Sequence, residues 1–144
     1  MNYELTDETI NHIDKTLYRI RALVDMPRHG VKAGDLGGFI EKVENLQDNA
    51  WVADDAKVYG DALVADNAKV YGDALVFDNA TVYGNAKVFD DAWVSGDAKV
   101  YGKARVYGDA EVSDHAKVSV NARVSGNAVV CGTDEVFGYA KVSK

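Results

Sequence analysis

The chain has 144 residues, a formal net charge of −7, one cysteine and one proline. That length carries one domain with one core, and the negative balance argues against the basic footprint of a nucleic-acid-binding protein. The single Cys131 excludes an internal disulfide and suits a reducing compartment. No apolar run approaches membrane-spanning length and no signal-like leader opens the chain, so the expected setting is soluble, cytoplasmic and free of membrane.

Residues 1–38 differ in texture from the rest and read as a cap. Proline-free stretches lie around Tyr3–Leu5, Ile13–Val24 and Gly30–Ile40. Ile10, Ile13, Leu17, Ile20 and Val24 recur at helical spacing, whereas Tyr18, Ile20, Ala22 and Val24 alternate as a strand does, so both readings stand. Gly30, Gly34, Gly37 and Gly38 are placed in tight turns. A phosphate loop would need a following Lys-Ser and a helix, and neither is present.

From residue 39 to residue 144 the pattern is periodic. Sixteen valines occupy every sixth position from Val52 to Val142, and Leu46 and Ile40 extend the register upstream. Four residues after each comes a small residue, Ala50 through Ala128 without a break, then Asp134, then Ala140. Valine and the alanine two residues before it alternate with outward positions, which is strand spacing. Pairs such as Gly60-Asp61, Asp66-Asn67 and Gly72-Asp73 fall where the chain must turn, and all three residue types accept left-handed backbone angles. Each hexad is therefore a short strand and a corner, and the stacked coils form a repeat solenoid with valine inside. Asp134-Glu135 is expected to mark fraying near the last coil.

The pattern aliphatic–x–Gly/Asp–Asn/Asp–Ala–x resembles the hexapeptide repeat of left-handed parallel β-helices. The segment Val31-Lys32-Ala33-Gly34-Asp35-Leu36-Gly37-Gly38-Phe39-Ile40-Glu41, with Asn45-Leu46 and Asn49-Ala50-Trp51-Val52, is similar to a group of bacterial and phage hexapeptide-repeat proteins sometimes labelled transferases. The resemblance implies an all-β, three-sided, left-handed prism with three hexads per coil. It also favours a strand from about Thr16 to Asp25, with a brief turn or helix after Thr6.

With three hexads per coil, residues 18 apart stack. One face, the first face, then carries Trp51, Lys69, Lys87, Arg105 and Arg123 beside Tyr71, Phe89 and Tyr107, a cationic ladder next to an aromatic one. These eight residues are the candidate binding face, flanked by the acidic corners Asp54-Asp55, Gly72-Asp73, Asp90-Asp91 and Gly108-Asp109. The plain alternative is that lysine and arginine stems cover the rings and make a soluble sheet. The corner aspartates lack the spacing of a calcium-binding repeat, so no metal is expected. Relatives of this fold include acyl-CoA-dependent acyltransferases, which use a histidine base and a loop extruded from the coil. This register never slips, so no loop is extruded. His115, stacked above Asp97 and near Cys131, is the one candidate base, and it also reads as a simple corner substitution.

The sequence therefore points to a non-catalytic binding or structural solenoid that self-associates as a trimer or dimer, with a protein partner more fitting than nucleic acid. The alternative is an acyltransferase, with acyl-CoA its only cofactor. A third reading is an acidic decoy for a nucleic-acid-binding protein. Burying a valine is worth about 1.5–3 kcal/mol, and a buried unpaired carboxylate costs more than that. Val100→Asp should therefore abolish the thermal unfolding transition, while Lys99→Asp should shift stability by no more than about 1 kcal/mol. Equal effects would disprove the register.

Overall fold

A computed structural model describes residues 1–144. The protein is all-β: β1 (Tyr3–His12), β2 (Lys15–Ala22), β3 (Leu36–Ile40) and sixteen strands of two or three residues from Trp51–Val52 to Lys141–Ser143. The short strands wind a parallel solenoid of about six turns with three sheets. Every pairing among them joins residues 18 apart, as in Lys69 with Lys87 and Val70 with Val88. Ile40 pairs with Val58 and Leu46 bridges Val64, so the hexad register starts before the first valine. No helix is long and apolar enough to cross a membrane.

Valine and alanine fill the bore. All valines from Val52 to Val124 in the six-residue register are fully buried, as are nearly all the alanines between them. A two-residue strand cannot supply enough backbone pairing by itself, so the corners pair as well. Lys69 N, Tyr71 N and Asp73 N donate to the carbonyls of Ala86, Val88 and Asp90 in the next coil, at 2.9–3.1 Å. The pattern survives the Asp134 break: Lys117 N still donates to Asp134 O at 2.9 Å and Glu135 still pairs with Lys117. The expected fraying does not occur, because the break changes side chains and leaves the backbone ladder intact.

The second residue after each register valine from Val52 to Val136 takes positive φ, and it is Asp or Gly in every hexad but that of Val120. The aspartates do more than tolerate that angle. Oδ2 of Asp48, Asp54, Asp66, Asp78, Asp90 and Asp114 each accepts the backbone N–H of the residue 18 positions on, at 3.0–3.2 Å. Each carboxylate thus satisfies an amide that the backbone ladder leaves out. Gly72 lies above Asp54, and a Cβ there would come within 2.9 Å of Asp90 N, so glycine relieves both crowding and backbone strain.

The first forty residues form a hairpin that extends one side of the prism. β1 and β2 pair antiparallel across a two-residue turn in which Ile13 and Asp14 have φ of 51° and 62°. β2 pairs antiparallel with β3, and β3 pairs in parallel with Lys57–Val58. The strand reading therefore holds for residues 15–22, and the helical spacing is a coincidence of the hairpin: Ile13 is exposed in the turn while Leu17 and Ile20 are buried. No helix follows Thr6; β1 runs through that point with a bulge. Gly30 and Gly34 do sit in turns. Gly37 and Gly38 instead lie within β3, where the backbone presses so close that a Cβ on Gly37 would come 2.7 Å from both Ile20 Cγ1 and Trp51 Cζ2. Buried Asn45 pins the first corner, accepting from Glu41 N and Lys42 N and donating to Gly60 O and Ala62 O at 2.8–3.2 Å.

Val120 is the outlier of the corner positions. It is β-branched, half exposed, and held at φ 61°, a conformation that costs an L-residue roughly 1–2 kcal/mol. Gly138 lies 18 residues on and its N–H makes no protein hydrogen bond. Val120→Asp should relieve the strain and supply a carboxylate to that amide. The expected gain is about 1 kcal/mol in chemical denaturation; a loss of stability would disprove this account of the corners.

Candidate functional site

The candidate face is built by the same period that builds the core. In its three middle strands, at Val70, Val88 and Val106, the valine points inward, the residue before it points out as a cation, and the residue after it points out as an aromatic; Ser125 and Ser143 take the aromatic slot in the last two strands. In-register pairing then lines up Lys69, Lys87, Arg105, Arg123 and Lys141 as one column. The aromatic column stacks on itself: Tyr71 to Phe89 at 4.8 Å and Phe89 to Tyr107 at 4.9 Å between centroids, with planes within 6° of parallel. Lys69 Nζ sits 4.9 Å from the Tyr71 ring centroid. The faces of Tyr71 and Phe89 are therefore taken up by one another, by Tyr107 and by Lys69.

Trp51 does not belong to this exposed face, contrary to the expectation from its position. It is 1% exposed and packs in the core cluster with Met26 and Val31, under Gly37. The reason is tertiary: the loop between β2 and β3 folds across the first coil and covers the slot. Seven of the eight expected residues remain on the surface of the face, with Lys69, Tyr71, Phe89 and Tyr107 partly covered.

The covering loop also makes a groove. Its short 3₁₀ turn, Pro27–His29, stands beside the ladder. Lys69 Nζ donates to His29 O at 3.3 Å, His29 Nε2 meets Asn49 O at 2.8 Å, and Arg28 Nη1 meets the Asn85 side-chain oxygen at 3.4 Å. The groove, open to solvent on one side, has a volume of about 450 Å³ and is lined by Arg28, His29, Lys69, Lys87, Lys103 and Arg105 together with Asn67, Asn85 and Tyr71. No carboxylate lines it, and none of its five lysines and arginines makes an ion pair.

The electrostatics register this crowding. Burial, then the Lys87 charge, pushes the Lys69 ammonium below its ordinary pKa, with Asp54 opposing. Burial also lowers His29, and the Lys69, Arg28 and Lys87 charges add to it, while the hydrogen bond to Asn49 opposes. His29 is thus held toward its neutral form, with Nε2–H as donor to the Asn49 carbonyl.

Arg28 and Lys103 belong to the groove although the spacing of the ladder does not place them there. Lys103 had a visible signal, being the one lysine in a corner slot otherwise held mostly by Asp and Asn. Arg28 had none, because only the path of the cap loop brings it to the coil.

The other candidates stand apart from the groove. His115 Nδ1 lies 3.6 Å from Asp97 Oδ2, both side chains being more than half exposed; Asp97 lines a space of about 430 Å³ that His115 does not line. Cys131 is exposed. Asp54 and Asp90 use their carboxylates on Gly72 N and Gly108 N, Asp55 approaches Arg19 at 3.4 Å, and Asp73, Asp91 and Asp109 are exposed corners. No grouping of three or more His, Cys, Asp or Glu with metal-binding spacing occurs.

One family model, described as YdcK Beta solenoid repeat, matches residues 68–84. No curated protein matches the chain.

Proposed function

From the premise that this chain is a hexapeptide-repeat β-solenoid, we propose that it is a non-catalytic binding module whose first face engages an anionic partner. The observation that carries the reading is the unpaired column Lys69, Lys87, Arg105 and Arg123 on a protein of net charge −7. Like charges stacked on adjacent strands repel, so the column is costly to keep without a counter-charge. The transferase reading gains little from His115, whose side chain is more than two-thirds exposed at a corner. The decoy reading keeps the exposed corners Asp73, Asp91 and Asp109 but loses Asp54, Asp66, Asp78 and Asp90, whose carboxylates are engaged with backbone amides of the next coil, and the cationic column counts against it.

The test is retention on a sulfonate cation-exchange resin at pH 7 and low salt. The native chain should be retained despite its net negative charge. The Arg105→Glu/Arg123→Glu variant should flow through, while Lys99→Glu/Lys117→Glu, with the same charge change on another face, should still bind. Flow-through of the native chain would overturn the reading.

A second observation favours self-association through a different face. The sheet that carries the hairpin presents Trp93 at 45% and Val129 at 56% exposure, with Phe77 edge-on to Trp93 at 6.2 Å. Exposed apolar surface of this kind marks contact sites, whereas two first faces brought together would oppose cation to cation. Light scattering at micromolar concentration should give a mass above one chain, and Trp93→Glu should lower it to one chain without unfolding. A native mass of one chain would refute self-association.

A further inference from the structure

We propose that the groove between the Pro27–His29 turn and the first face is a binding site for a compact, multiply charged phosphate ligand; the proposal rests on the reading of that face as a surface for anions. Four observations converge. Five cations from separate parts of the chain, Arg28, Lys69, Lys87, Lys103 and Arg105, line one space of about 450 Å³, a volume suited to a small molecule. None of them has a carboxylate partner, and no carboxylate lines the space. Lys69 donates only to a neutral carbonyl, and Arg28 reaches only a neutral amide. Each therefore keeps unused donors for a ligand. The absence of acidic side chains makes the groove unfit for a cation.

The chemistry of the lining selects among anions. Two guanidinium forks offer paired N–H donors, and three ammonium groups offer point charges, a combination that suits phosphoryl oxygens. Five unpaired cations are balanced best by a ligand that packs several negative charges into a short length. A linear run of phosphoryl groups does this more compactly than a tricarboxylate. The ligand is not recognised through a planar base. The faces of Tyr71 and Phe89 are closed by stacking at 4.8 Å and by Lys69, so the stacking platform that binds nucleic-acid bases is missing.

Titration calorimetry of the full chain at pH 7 and low salt tests this with inorganic triphosphate, orthophosphate, citrate and a nucleoside triphosphate as probes. Triphosphate should bind saturably at one per chain, at least about tenfold tighter than orthophosphate or citrate. The nucleoside triphosphate should bind no tighter than inorganic triphosphate, because the base finds no platform. Arg28→Glu and Lys103→Glu, both exposed positions, should each weaken triphosphate binding by about tenfold or more with an unchanged melting temperature. Lys99→Glu, outside the groove, should change it by less than about threefold. Absence of saturation, equal binding of citrate, or equal weakening by Lys99→Glu each overturns the assignment. Resin retention without triphosphate binding would overturn the groove site alone and leave the anionic reading of the face in place.

Discussion

The structure depends on backbone pairing between coils whose strands are only two residues long. Each hexad must send its amides into the next coil from the corner as well as from the strand, and it does so with a repeat of 18 residues. The valine and alanine bore, the aspartate carboxylates at the corners and the stacked rings on the outside add to that pairing. A conformation that broke the corner geometry would leave buried polar groups unpaired in every turn. The uniformity of the corner angles follows from that demand.

The alternation of Asp and Gly at the corner is a solution to the same demand. Successive hexads from Asp54 to Gly96 alternate strictly, and an odd number of hexads per coil sets each aspartate beneath a glycine. The carboxylate then takes the one amide that the ladder omits, while the glycine above accepts both the positive φ and the close approach. Six of the 23 acidic residues are thus accounted for by coil stacking. Those six are poor evidence for a function that uses negative charge.

Register pairing has a second consequence, visible on the outside. Because identical slots stack, a lysine before valine becomes a column of cations, and an aromatic after valine becomes a stack of rings. The rings gain by meeting face to face, while the cations lose by it. That asymmetry makes the cationic column the more informative of the two. A stack of aromatics is self-sufficient, whereas a column of unpaired charges is improved by something the chain does not contain. The cap loop increases this imbalance by adding Arg28 and half-burying Lys69 where a free face would have left them apart.

The period of six by itself determined the coil, its register and the identity of the core from Ile40 to Val142, since a phase kept over so many repeats admits one inward set. The cationic and aromatic columns needed in addition three hexads per coil, which the resemblance to hexapeptide-repeat β-helices implied and the pairing of residues 18 apart bears out. The aspartate–amide contacts were implicit in the Asp/Gly alternation but needed the number of hexads per coil and the height of the corner to be seen. The cap was not legible in the same way. Residues 1–38 carry no repeat, and the spacing of Ile10, Ile13, Leu17, Ile20 and Val24 fits a helix as well as the hairpin that forms. Only the tertiary structure decided that Trp51 is buried, that Gly37 and Gly38 serve a close strand approach, and that Arg28 and Lys103 join the ladder in one groove. Those outcomes depend on where a non-repeating loop crosses a repeating surface, and no local pattern encodes that crossing.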